Sequence, residues 1–440
     1  NYLKGDWLKN IVIGSGPAGR LGSLQLGKLG EEVLLIEKKH IAGTCLNEGC
    51  IVICALTDIT KYIEQTKNFN SLGFIKSQFD ISYDKIVEKI VETQELIRKI
   101  NENENKSVGN TIIYGEASIV DEKVVVNDEV FDYENLLIAT GARPFIPDIP
   151  GSEYGLTNKD ILKIDNVPKK LVVIGGGIIA CEIANIYAKL GSEVTILARS
   201  KILKDIGDDD IVKYILENLI NDVKVFENIE IAKINKNSVV TSNGENFEGQ
   251  AFFATGRVAN SEIVKDLVDL NDDGTIKVNE FMQTSKDNIY AAGDVTGGYQ
   301  LTPVARMEGV CASRNMAGYP NKVSYNSIPQ TLSLNSEVSF VEDESIPDNA
   351  EIVDIKVHGL GGPGNFWNIL SGDTGVGKIS FDGNENKIKK IITISPSSGD
   401  DVAYLSYIMR EGYDLNDYDE FIEVHPSTDS NYKIIKNMWL

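Results

Sequence analysis

The 440-residue sequence is short of cysteine, histidine and positive charge: five Cys, three His, and 43 Lys plus Arg against 65 Asp plus Glu. Each shortage excludes something. At a formal net charge of -22 the chain is not expected to bind nucleic acid independently of sequence, which needs clustered Lys and Arg; the surplus acid serves solubility. Five cysteines, an odd number in a long chain, do not make the disulfide framework of a secreted protein. No apolar run is long enough to span a bilayer, and the opening "NYLKGDWLKN" holds no signal-peptide core, so no membrane partner and a cytoplasmic location are expected. A zinc site needs about four ligands. His40, His358 and His425, with no C-x-x-C pair, do not supply one, so no metal is expected; His40 near Cys45 leaves a mixed site as the metal alternative.

What is present is read from glycine. The length points to two to four domains, and 42% hydrophobic with 25% charged residues is a globular balance. "KNIVIGSGPAGRLGSLQLGKLGEEVLLIEKK" is an apolar strand, a tight turn, a helix and a second strand ending in Glu37. Gly14, Gly16 and Gly19 form G-x-G-x-x-G where strand meets helix. The first allows the turn, the second lets a pyrophosphate approach the backbone, and the third lets the helix pack on the strand. Glu37 is placed to accept hydrogen bonds from ribose hydroxyls. The design recurs in "KKLVVIGGGIIACEIANIYAKLGSEVTILARS", with Gly175, Gly177 and Ala180 at the small positions. Two such units imply two dinucleotides and electron transfer between them. The second strand end carries Ala198, then Arg199, Lys201 and Lys204, where an NAD site carries an acid. Cations there attract a 2'-phosphate, so NADP is expected; solvated surface charge around an NAD site is the alternative.

Cys45 and Cys50 lie in "GTCLNEGC". Cys181 and Cys311 sit in apolar, helix-like stretches and read as buried hydrophobes. Gly43 and Gly49 suggest a backbone bent close to something flat around the other pair. A disulfide beside a flavin would accept electrons from it and pass them on by thiol exchange.

At this point the chain resembles the pyridine-nucleotide disulfide oxidoreductases, which include dihydrolipoamide dehydrogenase, glutathione reductase and mercuric reductase. "AGTCLNEGC", with Gly43 and Thr44, is similar to their redox-disulfide motif. "LLIATGARP", with Thr140 and Gly141, and "AFFATGRVAN", with Gly256, resemble their two linkers. "NIYAAGDVTG" resembles the second flavin motif, in which Gly293 and Asp294 would face the FAD. "LTPVA" (301–305) follows as it does near the flavin in the family; "YNSIPQTLSL" and "EFIEVHPSTDS" resemble the start and the closing His-Pro loop of the dimerisation domain.

The resemblance implies an α/β protein with two Rossmann-like domains, for FAD and NAD(P), and a C-terminal α+β dimerisation domain. The expected parts are FAD-binding 1–150, NAD(P)-binding 151–260, a second FAD or central part 261–323, and an interface domain 324–440. It further implies a homodimer with shared active sites and a small dithiol, disulfide or lipoyl-carrier substrate. The Cys45–Cys50 disulfide would be redox active, with Cys50 nearest the flavin and Cys45 exchanging with substrate. His425 would be the acid-base residue reaching across the dimer.

Three positions depart from the family pattern. Val52 stands for a proline and Cys54 for a lysine that pairs with a glutamate matching Glu182, so Glu182 is expected without its cation and with raised proton affinity. Ser430 stands where a glutamate orients the histidine, with Asp429 one position earlier. The redox motif is most similar to that of dihydrolipoamide dehydrogenases. The alternatives are an NADPH-dependent reductase of a small disulfide, a mercuric-reductase-like enzyme, and a non-catalytic redox-sensing flavoprotein.

Overall fold

The apolar run Ile11–Ile13 is wholly buried, and it closes the first strand, β1 (Trp7–Ile13). The computed structural model describes residues 7–78, 80–347, 349–358, 367, 370, 375–396, 398–420, 422 and 435. The chain divides into two compact units, the first comprising Asn1–Ala55, Ile81–Asn166 and Phe253–Ser324, the second Leu56–Asp80, Val167–Phe252 and Tyr325–Leu440.

In the first unit β1 leads into helix α1 (Pro17–Lys28), with Pro17 at a position where its missing N–H costs nothing. Strand β2 (Val33–Glu37) follows, then α2 (Gly43–Asn47), α3 (Cys50–Ser71), whose residues from Leu56 belong to the second unit, α4 (Tyr83–Ser107), β3 (Thr111–Tyr114), β4 (Ser118–Val120), β5 (Lys123–Val126) and β6 (Glu129–Ile138). The sheet runs β3-β2-β1-β6-β5-β4, and the strand Ile289–Ala291 pairs with β6. β1 is parallel to β2 and to β6, with Ile13 opposite Ile36 and Ile138, whereas β4, β5 and β6 form an antiparallel meander.

Successive residues of a strand face opposite sides, so a sheet covered on both faces must be apolar throughout. Ile11, Ile13, Leu34, Ile36, Leu136 and Ile138 join Phe131 and Ile289 on one side. Val12, Leu35 and Leu137 meet Leu26 of α1 and Ala305, Cys311 and Met316 of the helix Thr302–Met316 on the other. That helix and α1 cross with almost nothing between them. A Cβ on Gly309 would stand 2.1 Å from the Ala18 carbonyl oxygen, and one on Gly22 would stand 3.0 Å from the Gly309 carbonyl oxygen.

In the second unit the strand Lys170–Ile174 is parallel to Glu193–Leu197, which is parallel to Lys224–Phe226, and Gln250–Phe253 completes a four-stranded sheet. The helix Ile178–Lys189 buries Ala180, Cys181, Ile183, Ala184, Ile186 and Tyr187. A three-stranded antiparallel ribbon (231–248) follows. The C-terminal part is a five-stranded antiparallel sheet in the order Gln330–Leu332, Glu337–Glu342, Lys387–Ser395, Val376–Asp382, Ile352–His358. Helix Ser398–Arg410 contributes Val402, Leu405 and Met409 to its core, beside Val341, Ile379 and Ile391. The expected α/β architecture, with two Rossmann-type units and a C-terminal α+β part, is what the chain forms.

Residues 151–166 and 253–260, read from sequence as the edges of the nucleotide domain, fall in the first unit. Local pairing accounts for this. Ala142–Pro144 pairs antiparallel with Arg257–Ala259, the Tyr83 hydroxyl donates to the Ile161 carbonyl at 2.8 Å, and Phe253 N–H donates to the Leu156 carbonyl. Among the described residues no helix is long and apolar enough to cross a membrane.

Candidate active site

The first glycine turn is over-determined by contact. Gly14 lies at φ +97°, and a Cβ there would stand 2.3 Å from the Ala139 carbonyl oxygen. A Cβ on Gly19 would stand 1.9 Å from the Gly14 carbonyl oxygen, so strand and helix touch through backbone. Around Gly16 the same construction meets nothing within 4 Å, leaving open space at the N-terminus of α1. Free N–H groups and the helix dipole make such an end favourable for phosphate.

Glu37 is 7% exposed and closes the turn from behind. Its Oε2 accepts from the Ser15 N–H (3.0 Å) and hydroxyl (2.6 Å), and its Oε1 accepts from the Lys39 N–H (2.8 Å). A carboxylate has about four acceptor sites, so these bonds leave capacity for a ribose. Gly293 N–H donates to the buried Glu308 carboxylate at 2.7 Å, which fixes the turn carrying Asp294. Asp294 lies 3.4 Å from the Arg257 guanidinium; burial raises its proton affinity and that cation lowers it.

The linker residues converge on the same unit. The Thr140 hydroxyl donates to the Asn260 carbonyl at 2.7 Å, and Gly141 and Gly256 adopt φ +67° and +106°. A Cβ on Gly43 would stand 2.7 Å from Gly16 Cα, and Ala42 N–H donates to the Ser15 carbonyl at 2.9 Å. The segment bearing Thr44 and Cys45 is thus mounted on the glycine turn. The open cradle at Gly16, the buried Glu37 and Asp294 beside Arg257 fit an FAD. Gly14, Gly16, Gly19, Glu37, Gly43, Thr44, Thr140, Gly141, Gly293 and Asp294 are the residues that would hold it.

The second turn repeats the first with one change. Gly175 sits at φ +136° and Gly177 again faces open space, but the third small position is Ala180, fully buried with its Cβ in place. At the strand end Arg199, Lys201 and Lys204 are all exposed. Lys201 is 3.0 Å from Asp209, so part of its charge is already answered.

Glu182 differs from the sequence expectation that it lacks a partner. Its Oε1 accepts from the Ser333 N–H at 2.8 Å, a backbone donor that the missing lysine does not affect.

Cys45 lies in the single turn of α2, and Cys50 opens α3. Both are free thiols here. The hydrogen bond between Cys45 and Cys50 favours the thiolate at Cys50 over Cys45. That bond, with one to Thr302 and one from backbone, draws the Cys50 thiol well below its ordinary value, while the Cys45 thiol is pushed up by the same partner and by burial. Position supports the polarity, since a sulfur at a helix N-terminus is favoured as thiolate. Thr302 Oγ1 is 3.6 Å from Cys50 Sγ. Cys54, exposed, lies one turn further along α3. Cys181 and Cys311 are fully buried, as their apolar surroundings implied. His425, Asp429 and Ser430 lie outside the described residues. Among the described residues no group of three His, Cys, Asp or Glu side chains could hold a metal ion.

Sequence reasoning missed several of the residues around these thiols. Thr302 was visible only as part of a motif. Arg306, four residues on, faces the same way by helical spacing. Arg20 follows Gly19 directly and is ion-paired with Glu104 at 2.8 Å. The signal available was periodicity: Thr302 and Arg306 at i,i+4 put a hydroxyl and a cation on one stripe.

Comparison with known proteins agrees with this geometry. Residues 8–309 match the family described as pyridine nucleotide-disulphide oxidoreductase. An uncharacterised protein of Methanocaldococcus jannaschii is 32% identical over 439 residues, covering 97% of each chain. The dihydrolipoyl dehydrogenase of Mycoplasma genitalium is 30% identical over 439 residues, covering 95% of each. Among solved structures, the HOCl-induced flavoprotein disulfide reductase RclA of Escherichia coli superposes with a TM-score of 0.85 at 22% identity, covering 97% of this chain and 98% of that one, a likeness of fold. A nucleotide-binding pair of units with a dithiol at the first defines a redox flavoprotein. The chain belongs to the pyridine nucleotide-disulphide oxidoreductase family, whose members are FAD-dependent enzymes acting on sulfur groups.

Proposed function

We propose that the protein passes electrons between NAD(P)(H), FAD, the Cys45–Cys50 pair and a small dithiol or disulfide, in the manner of a dihydrolipoamide dehydrogenase. The observation that carries this reading is the placement of the two thiols, Cys45 in the turn of α2 and Cys50 opening α3 with Thr302 Oγ1 3.6 Å from its sulfur. When bound, the flavin relays two electrons between the nicotinamide and the sulfurs. The chain's own groups do the rest. Thr302 donates to the Cys50 sulfur and holds it as thiolate; Cys45 meets the substrate. His425, from the partner subunit of a homodimer and assisted by Asp429, takes and returns the proton that thiol exchange requires.

A second reading, an NADPH-linked reductase of a small disulfide, is favoured by exposed Arg199 and Lys204 where an NAD site would carry an acid. A redox sensor without turnover remains the non-enzymatic reading, and steady NAD(P)H oxidation with lipoamide or a disulfide would sink it.

The test is anaerobic titration of the flavin-loaded protein with NADH and NADPH while its spectrum is followed. Two-electron reduction should give a long-wavelength charge-transfer band from the Cys50 thiolate. The folded-state pKa is lowered from the ordinary 9 to about 6, so the band should persist above that pH and fade as pH falls through it. A band that survives Cys50→Ser, or that titrates near 9, would overturn the assignment.

A further inference from the structure

Helix α4 buries amides where an ordinary amphipathic helix buries aliphatic side chains. Its covered residues include Ile90, Gln94, Asn101 and Asn105, and Gln94 is 1% exposed. A buried amide is tolerated where its hydrogen bonds are made, so its partners define its role. Gln94 Nε2 donates to the Leu46 carbonyl at 2.8 Å and to the Asn47 carbonyl at 3.2 Å. One turn on, Arg98 Nε donates to Asn47 Oδ1 at 2.7 Å, and the same guanidinium donates to Gln94 Oε1 at 3.4 Å. Asn47 Nδ2 donates in turn to the Ile41 and Gly43 carbonyls at 3.1 and 2.7 Å. The bonds form one network around residues 41–47, and Cys45 lies inside it.

This network supplies what α2 lacks. An isolated helix shorter than about 12 residues does not hold itself in water, and α2 has five. Leu46 and Asn47 are its last two residues, whose carbonyls have no partner within the helix. Gly16 meets Gly43 from one side. From the other, Gln94 and Arg98 bring donors to the free end.

We propose that Gln94 and Arg98 are positioning residues for Cys45, holding α2 so that the Cys45 sulfur stays within disulfide reach of Cys50. This rests on the reading of Cys45 and Cys50 as a redox pair. A disulfide needs its Cα atoms about 4.4–6.8 Å apart and its Cβ atoms about 3.5–4.5 Å apart. Cys50 is fixed by the long helix it opens, whereas Cys45 is fixed only through α2. With α2 released, Cys45 samples positions out of reach, the effective concentration of one thiol at the other falls, and the dithiol gains on the disulfide.

The experiment equilibrates flavin-loaded protein anaerobically in glutathione buffers of graded ratio. The two thiols give two electrons and two protons to one glutathione disulfide, which becomes two glutathione thiols as Cys45–Cys50 closes. Alkylation, proteolysis and mass spectrometry then count the Cys45–Cys50 disulfide. Gln94→Glu keeps the size and removes the donor. It should lower the equilibrium constant for disulfide formation roughly tenfold, a potential about 30 mV more positive. Arg98→Met should lower it roughly fivefold, and Arg98→Lys, whose ammonium can still donate to Asn47, should restore most of it. The arginine variants read the same quantity should Gln94→Glu fail to fold. Thermal unfolding is followed alongside: lowered stability with an unchanged equilibrium constant makes the two side chains ordinary packing and overturns the proposal. If the wild type forms no Cys45–Cys50 disulfide at any glutathione ratio, the functional reading itself falls, and this inference with it.

Discussion

The two glycine turns share a sequence pattern and differ in how finished they are. At the first, the acid at the strand end is already bonded to the turn: Glu37 accepts from Ser15 and Lys39, and Gly14, Gly19 and Gly43 are locked by backbone contact. At the second, the strand ends in exposed cations, and the close-packing position is an ordinary alanine. The first turn would suit a ligand that stays, the second one that exchanges. That is the division expected between a resident flavin and a diffusing nicotinamide.

The sharpest break should come at Gly19. Its alanine variant copies Ala180 into the first turn, where the added carbon would stand 1.9 Å from a carbonyl oxygen. A loss of about 3 kcal/mol or more, with little flavin retained, is expected by thermal unfolding and absorbance. A stable yellow Gly19→Ala protein would show that the two turns are interchangeable.

Next is Arg199→Glu. A desolvated phosphate–arginine contact is worth about 1.5–3 kcal/mol, so the NADPH/NADH preference should swing by roughly ten- to a hundredfold. An unchanged ratio of kcat/KM values would place the 2'-phosphate elsewhere. Lys201→Ala should change the same ratio by only about threefold or less, because Asp209 already holds that cation at the surface. The smallest effect is expected for Ala180→Gly, which costs about 0.5–1 kcal/mol of helix stability and leaves nucleotide affinity unaltered. A larger loss would mean that the Ala180 Cβ packs against more than its own helix.

Both turns were legible in the sequence because they are local. Within some thirty residues an apolar run, three small residues and a second apolar run determine a strand, a turn, a helix and a strand. The fold class followed from repetition of that unit. What escaped depends on residues far apart in sequence. Glu308 reads as one more helix charge until the structure folds it under Gly293. Glu182 looked abandoned by a missing lysine, but its partner is a backbone N–H, and backbone donors have no letter in the sequence.

The contact between Gly43 and Gly16 has a consequence for the history of the chain. The loop that bears the sulfurs and the loop that cradles phosphate share one joint, with no side chain at it to yield. Neither loop can drift alone: a substitution that widened the phosphate loop would also shift Cys45, so the two inherit changes as a single block. Beyond that joint the constraint lapses: at Cys54 on α3 a side chain can be exchanged without moving the backbone that carries the two loops.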